Sequence, residues 1–237
     1  MISKSILVVI ILLILSSGGV FIWQKTNSTF VNQNTDNKEY RVGADKVIVF
    51  DTQNKKEITT IDLSAKEGDF LIKFTPHDVT ITDGKKQIWI TASASNEEIQ
   101  AMSKKLVEKT KRDQHVMMAT DQVISINPTT DKIAKRVPIG VSLDLADIIL
   151  TPDGKYAYVS AETGNAIYKI NTSTFKVQLI QLPSESKPHQ LALSTDGAEL
   201  YARNQADSNI YLISTKTNEV KNQEDTEETS NLNWSSH

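Results

Sequence analysis

One seven-residue phrase returns four times along this 237-residue chain, and its spacing leaves few folds open. It reads Asp45-Lys-Val-Ile-Val-Phe-Asp51, Asp121-Gln-Val-Ile-Ser-Ile-Asn127, Asn165-Ala-Ile-Tyr-Lys-Ile-Asn171 and Ser208-Asn-Ile-Tyr-Leu-Ile-Ser214. The last three copies begin 44 and 43 residues apart. Short β-branched runs at regular spacing mark strands of an all-β repeat. Each copy ends in Asp, Asn or Ser, whose side chain opens a turn by bonding its own backbone. A second strand follows: Glu57–Leu63, Lys132–Ile139 and Lys176–Leu182, with a fourth starting at Asn218-Glu-Val220 before the sequence turns polar.

A hairpin interleaves with these copies. It spans Val79–Thr91 around Asp83-Gly84, Ile148–Val159 around Asp153-Gly154, and Leu191–Ala202 around Asp196-Gly197. Asp-Gly supplies the positive-φ residue that a tight hairpin needs. Asp153 and Asp196 are 43 residues apart; Asp83 and Asp153 are 70 apart, and one insertion accounts for the excess of 27. A weaker first copy covers Thr35–Val42, with Asn37 in the place of the glycine. The unit is a meander of strands a, b, c and d, with Asp-Gly turns between a and b and Asx turns between c and d. Such a meander buries its faces only by stacking on its neighbours. The expectation is therefore all-β: β-propeller-type repeats over residues 39–221, about four four-stranded blades in a closed or an incomplete ring, with one helical insertion at 95–115. Trp89, Tyr156, Tyr158 and Tyr201 recur in strand b and are expected to pack between blades.

The two ends read differently. After Lys4 runs an apolar stretch, Ile6–Leu15, then Ser16-Ser-Gly-Gly19, and no charge occurs from Ile6 to Trp23. The run has the length of a signal-peptide core, and the uncharged stretch is just long enough to span hydrocarbon. Trp23 followed by Lys25 suits the interfacial end of such a span. Residues 1–25 are thus a signal peptide or an uncleaved signal anchor, followed by a polar tether at 26–38. Either reading delivers the rest to the cell envelope outside the cytoplasm, membrane-anchored or periplasmic or secreted. The acidic stretch 222–237 is expected to be a disordered tail. A net charge of −3 argues against nucleic acid as a partner. The absence of cysteine excludes disulfides, zinc–thiolate sites and a thiol nucleophile.

The phrase Leu150-Thr-Pro-Asp-Gly-Lys-Tyr-Ala-Tyr-Val-Ser160, followed by Asn165-Ala-Ile-Tyr-Lys-Ile-Asn171-Thr, resembles the YVTN family of β-propeller repeats. The likeness covers roughly Glu39 to Val220. It implies a propeller of the surface-layer-like or periplasmic type. It implies no single activity, because the same repeat occurs in binding proteins, cofactor-linked proteins and lactonase-like enzymes. Relatives close with more blades than this chain holds. Three readings stand: a small four-bladed ring, an open arc completed by another chain as an oligomer, or a shortened remnant.

In a propeller the d–a and b–c loops gather on one face around the central channel. Pro76-His77 and Pro188-His189 each fall just before strand a, which sets both imidazoles near the channel mouth, with Leu145-Ala146 at the intervening place. The Pro-His pair resembles one used in YVTN repeats, where a loop histidine hydrogen-bonds backbone. Asp78 and Asp147 follow the histidine slot and are candidates for acid–base or cation-binding roles, weighed against solvated loop carboxylates. The insertion opens with a capping box, Ser95-Asn-Glu-Glu98, and carries Ile99, Met102 and Leu106 at helical spacing. Lys104, Lys105 and Leu106 make it a partner-docking helix or a lid. It ends in His115-Val-Met117-Met118. His77, His115 and His189 together would suit a divalent ion, and copper if the thioethers join them; no short His-x-His spacing supports this. No phosphate loop, Ser-His-Asp arrangement or metalloprotease helix is present, so an enzymatic assignment has little to stand on. The leading reading is an extracytoplasmic, membrane-anchored binding or interaction module taking a protein or small molecule on the helix-bearing face. The alternative is a metal- or cofactor-dependent redox or lactonase-like hydrolytic protein centred on the histidines.

Overall fold

Four turns of one design set the architecture. In the computed structural model, Asp51 Oδ1 accepts from the N–H groups of Gln53 and Asn54 at 2.8 and 2.9 Å. Asn127 Oδ1 does the same for Thr129 and Thr130, and Asn171 Oδ1 for Ser173 and Thr174. Ser214 Oγ accepts from Thr217 N. Four residues after each opener the backbone turns left-handed, at Lys55, Asp131, Phe175 and Asn218, with φ between 52° and 62°. The Asx turns inferred from sequence are thus repeated in phase four times.

The structure describes residues 34–35, 37–67, 70–81, 87–95, 119–205, 209–224 and 232–234, with single residues at 101, 104, 105, 108 and 229. The first sheet is β1 (Asn34–Thr35), β2 (Lys38–Val42), β3 (Lys46–Asp51) and β4 (Lys56–Asp62). A small hairpin, β5 (Ala65–Glu67) and β6 (Phe70–Ile72), leads to the second sheet. That sheet is β7 (Phe74–Ile81), β8 (Ile88–Ala94), β9 (Asp121–Asn127) and β10 (Lys132–Gly140). The third is β11 (Leu145–Leu150), β12 (Tyr156–Ala161), β13 (Ala166–Asn171) and β14 (Val177–Gln181). The fourth is β15 (Pro188–Leu193), β16 (Glu199–Asn204), β17 (Asn209–Ser214) and β18 (Val220–Glu224). Each is a four-stranded antiparallel meander. The Asp-Gly hairpins fit the same plan: Gly154 and Gly197 sit at φ 67° and 70°. Ahead of each glycine, Thr151 or Ser194 donates its hydroxyl to Asp153 or Asp196 at 2.7 Å.

The core lies in the seams between sheets. Tyr40, Val47 and Val49 meet Val79, Ile88 and Ile90 in the first seam. Trp89 and Val123 meet Ile148 and Val159 in the second. Tyr158 and Ile167 meet Leu191 and Leu200 in the third. Trp89, Tyr156 and Tyr158 therefore pack between blades, as their recurrence implied, whereas Tyr201 packs under Leu232 and Trp234. Among the described residues no hydrophobic cluster joins the first sheet to the fourth.

Three details depart from the sequence reading. The β5–β6 hairpin falls between the first two sheets, outside the four-stranded unit. Pro76-His77 and Pro188-His189 lie inside β7 and β15 rather than in loops before them. At the C-terminal end, β18 pairs with β17 through Glu224, and Leu232 and Trp234 pack on the fourth sheet. The stretch 222–237, expected as a disordered tail, thus includes strand residues and packed residues, because the last sheet presents an apolar face for them. The expected N-terminal helix lies outside the described residues. Within the insertion, Ala101, Lys104, Lys105 and Glu108 have helical backbone and exposed side chains. Among the described residues no helix is long and apolar enough to cross a membrane.

Candidate functional site

The innermost strands share one irregularity. Pairing of β7 with β8 skips register between Pro76 and Val79, β11 with β12 between Leu145 and Ile148, and β15 with β16 between Pro188 and Gln190. A bulge at the same place in three strands re-aims the same side chains: His77-Asp78, Ala146-Asp147 and His189-Gln190.

The two aspartates point inward, with side chains 3% and 0% exposed for Asp78 and Asp147. Asp78 Oδ2 accepts from Ile148 N of the next sheet at 3.2 Å. Asp147 Oδ2 accepts from Leu191 N, again one sheet on, at 2.6 Å. A hydroxyl runs the bond in parallel. Thr91 Oγ accepts from Asp78 N and donates to Ala146 O, both at 3.0 Å. Ser160 Oγ accepts from Asp147 N at 2.9 Å and donates to His189 O at 2.8 Å. Carboxylate and hydroxyl together staple one blade to the next. Their burial makes Asp78 and Asp147 structural rather than the solvent-facing groups that the sequence offered as ligand-binding candidates. The Asp78 carboxyl is held well above its usual range, first by burial, then by the neighbouring Asp147 charge and the hydrogen bond between the two side chains.

A second clamp comes from the first residue of the recurring phrase. Asp121 accepts from Ala94 N at 2.9 Å through one oxygen, and from Leu143 N and Asp144 N at 2.7 and 3.2 Å through the other. Asn165 Oδ1 accepts from Lys187 N at 3.2 Å. Strand c thus fixes the loop that leads into the next strand a, where Asp144 and Lys187 take left-handed backbone.

These clamps position the imidazoles. His189 Nδ1 forms an ion pair with Glu162, which follows β12 in the preceding sheet. That hydrogen bond raises the His189 pKa; burial opposes it, and the charges of Glu162, Asp147 and Asp144 add to it. His77 behaves oppositely. Burial lowers its pKa first, with Asp144, Asp121 and Glu162 pulling upward and His189 pushing down. Its Nε2 is buried without a hydrogen-bond partner among the described residues. The two imidazoles are thus shifted in opposite senses, His77 downward by its burial and His189 upward by its Glu162 partner. Such a split equips a site to accept a proton at one ring and donate it from the other.

His77 and His189 are brought to one end, as their repeat position implied. Glu162, Asp144 and Asp121 were missed: each lies at a strand end whose partner belongs to another blade. Glu162 had a faint signal, being the residue that extends the Tyr-Val-Ser-Ala phrase of strand b. Lys104 and Lys105 are exposed, while Leu106 and His115 lie outside the described residues. Among the described residues no three His, Cys, Asp or Glu side chains are grouped to hold a metal ion. A cavity of about 270 Å³ opens at the opposite end of the blades, lined by Thr151, Asp153, Tyr156, Tyr158, Asp196 and Thr215. The imidazoles do not line it.

A family profile described as "Lactonase, 7-bladed beta-propeller" matches residues 40–231. The chain belongs to this lactonase-type β-propeller family. Among curated proteins no sequence matches the chain. Virginiamycin B lyase from Staphylococcus aureus superposes with a TM-score of 0.59 at 17% identity, over 87% of this chain and 59% of the lyase. A catalytically inactive histidine-to-alanine variant of that lyase, with quinupristin, gives 0.58 at 15% identity, over 88% and 59% of the two chains. A Bacteroides fragilis protein provisionally assigned as a 6-phosphogluconolactonase gives 0.53 at 14% identity, over 80% and 54%. The chain thus spans somewhat more than half the length of these structures, and the likeness is one of fold.

Proposed function

We propose that this chain is an extracytoplasmic propeller module, held at the membrane by residues 6–23, that binds a small polar molecule at the His77/His189 end. The carrying observation is the buried, unpartnered Nε2 of His77 beside the His189–Glu162 ion pair. A buried polar atom without a partner costs free energy, and a ligand group that satisfies it recovers that cost. A carbonyl or hydroxyl with neighbouring donor and acceptor atoms fits the pair. The YVTN-like phrase and the apolar N-terminal run support the envelope location. The exposed Lys104 and Lys105 of the insertion would give a protein partner its contact.

Calorimetry with a small lactone and with its open hydroxy acid tests the binding claim. Binding of either that is lost in both His77→Ala and His189→Ala, while both variants still melt cooperatively, supports it; binding that persists in the double variant overturns it. Alkaline extraction of membranes tests the location, and recovery in the soluble cytoplasmic fraction would contradict it.

A second reading is favoured by the opposite shifts of the two imidazoles: acid–base cleavage of an ester or lactone. His77 Nε2 would take the proton from an attacking water, and His189 would return one to the departing oxygen as the C–O bond breaks. Turnover of the lactone probe, absent in Glu162→Gln, would separate this reading from binding alone.

A further inference from the structure

The fourth sheet has no blade after it among the described residues, yet its outward face is buried. Trp89, Tyr158 and Tyr201 occupy one position in successive b strands, and Val123, Ile167 and Ile210 one position in successive c strands. In the second and third sheets these pairs lie in the seam with the following sheet. In the fourth sheet Tyr201 is 8% exposed and Ile210 0%. What covers them is Leu232 and Trp234.

The covering segment is held by specific contacts. The Arg203 guanidinium lies 4.1 Å from the centre of the Trp234 ring, a cation–π distance. Trp234 Nε1 donates to Thr229 O at 3.1 Å, and Thr229 itself is wholly buried. The position of Arg203 is informative. It pairs with Gln190 across β15 and β16, where the second and third sheets carry Asp78 with Thr91 and Asp147 with Ser160. Those two couples staple each sheet to its successor. The fourth sheet has exchanged the staple for a cation that seats an indole.

We propose that the outward face of the fourth sheet is a blade-docking surface which the chain closes in cis with its own Thr229, Leu232 and Trp234. The occupant stands in for the next blade of the family's ring, as capping elements do at the ends of repeat arrays. It shields apolar surface that would otherwise pair with another sheet or a second copy.

The chain has no cysteine, so a single thiol reports on this face without interference. Ile210→Cys in the full chain is expected to react with a maleimide far more slowly than Thr130→Cys on an exposed turn. Adding Trp234→Ala with Leu232→Ser should raise the Ile210→Cys rate by roughly tenfold or more, as expected when local opening becomes easy. Light scattering should give a monomer for the parent and self-association for the uncapped variant. Rapid labelling of Ile210→Cys with the cap intact would overturn the proposal. So would a parent dimer whose dilution alone exposes the thiol, since a second copy would then be the occupant. If the uncapped variant does not fold, the parent comparison with Thr130→Cys still decides.

Discussion

The seam between the second and third sheets and the seam between the third and fourth are built from the same parts and end differently. Both use a buried aspartate and a hydroxyl thirteen residues later, Asp78 with Thr91 and Asp147 with Ser160. Both send the carboxylate to a backbone N–H of the next sheet. Two residues earlier along each receiving strand they diverge. The first seam's hydroxyl bonds the carbonyl of Ala146, and the second seam's hydroxyl bonds that of His189. The staple holds the backbone at a fixed place while leaving the preceding side chain free to vary. Stability and chemistry are thus divided between adjacent residues.

The most severe test of that division is Asp147→Ala. Removing the acceptor leaves Leu191 N–H buried and unpaired and is expected to cost about 3 kcal/mol. For a domain of this size that corresponds to a fall of roughly 6–12 °C in Tm. Asp147→Asn retains an acceptor and should cost about 1 kcal/mol or less by calorimetry. Equal losses for the two would show that charge, not the hydrogen bond, makes the staple. Ser160→Ala comes next, at about 1–2 kcal/mol, and it should also disturb His189, whose carbonyl it releases.

A smaller effect is the pH dependence of the site. His189 has a raised pKa in the folded chain, so it contributes stability below its unfolded value of 6.5 and loses it as pH rises through the folded value. Glu162→Gln should flatten that decline in melts recorded from pH 6 upward. His77, lowered by burial, acts in the other sense. Its contribution is present above 6.5 and is lost as pH falls through its folded value. The smallest expected effect on folding is His77→Gln, about 0.5 kcal/mol or less, although ligand binding should disappear with it. A large loss of stability there would place His77 among the structural residues and erase the contrast between the seams.

The repeat was legible because its turns are local. An Asx opener four residues before a left-handed residue, or Asp-Gly within a hairpin, needs no knowledge of distant chain. The seams were not legible in the same way. Asp78 looks like a loop carboxylate until Ile148, 70 residues away, is placed against it. The thirteen-residue spacing to a hydroxyl was visible twice, but its meaning depends on a backbone carbonyl in another blade. Glu162 and Asp121 escaped for the same reason. The cap was hidden by composition: the acidic run around it resembles a solvated tail, while Trp234 and Leu232 act through a face that only the folded sheet creates.

The most direct test of the account is an NMR titration of the assigned imidazoles in the full chain. His189 should titrate above 6.5 and His77 below it, and Glu162→Gln should bring His189 down while leaving its fold signals in place. Two imidazoles titrating together near 6.5, with His189 indifferent to Glu162→Gln, would contradict it.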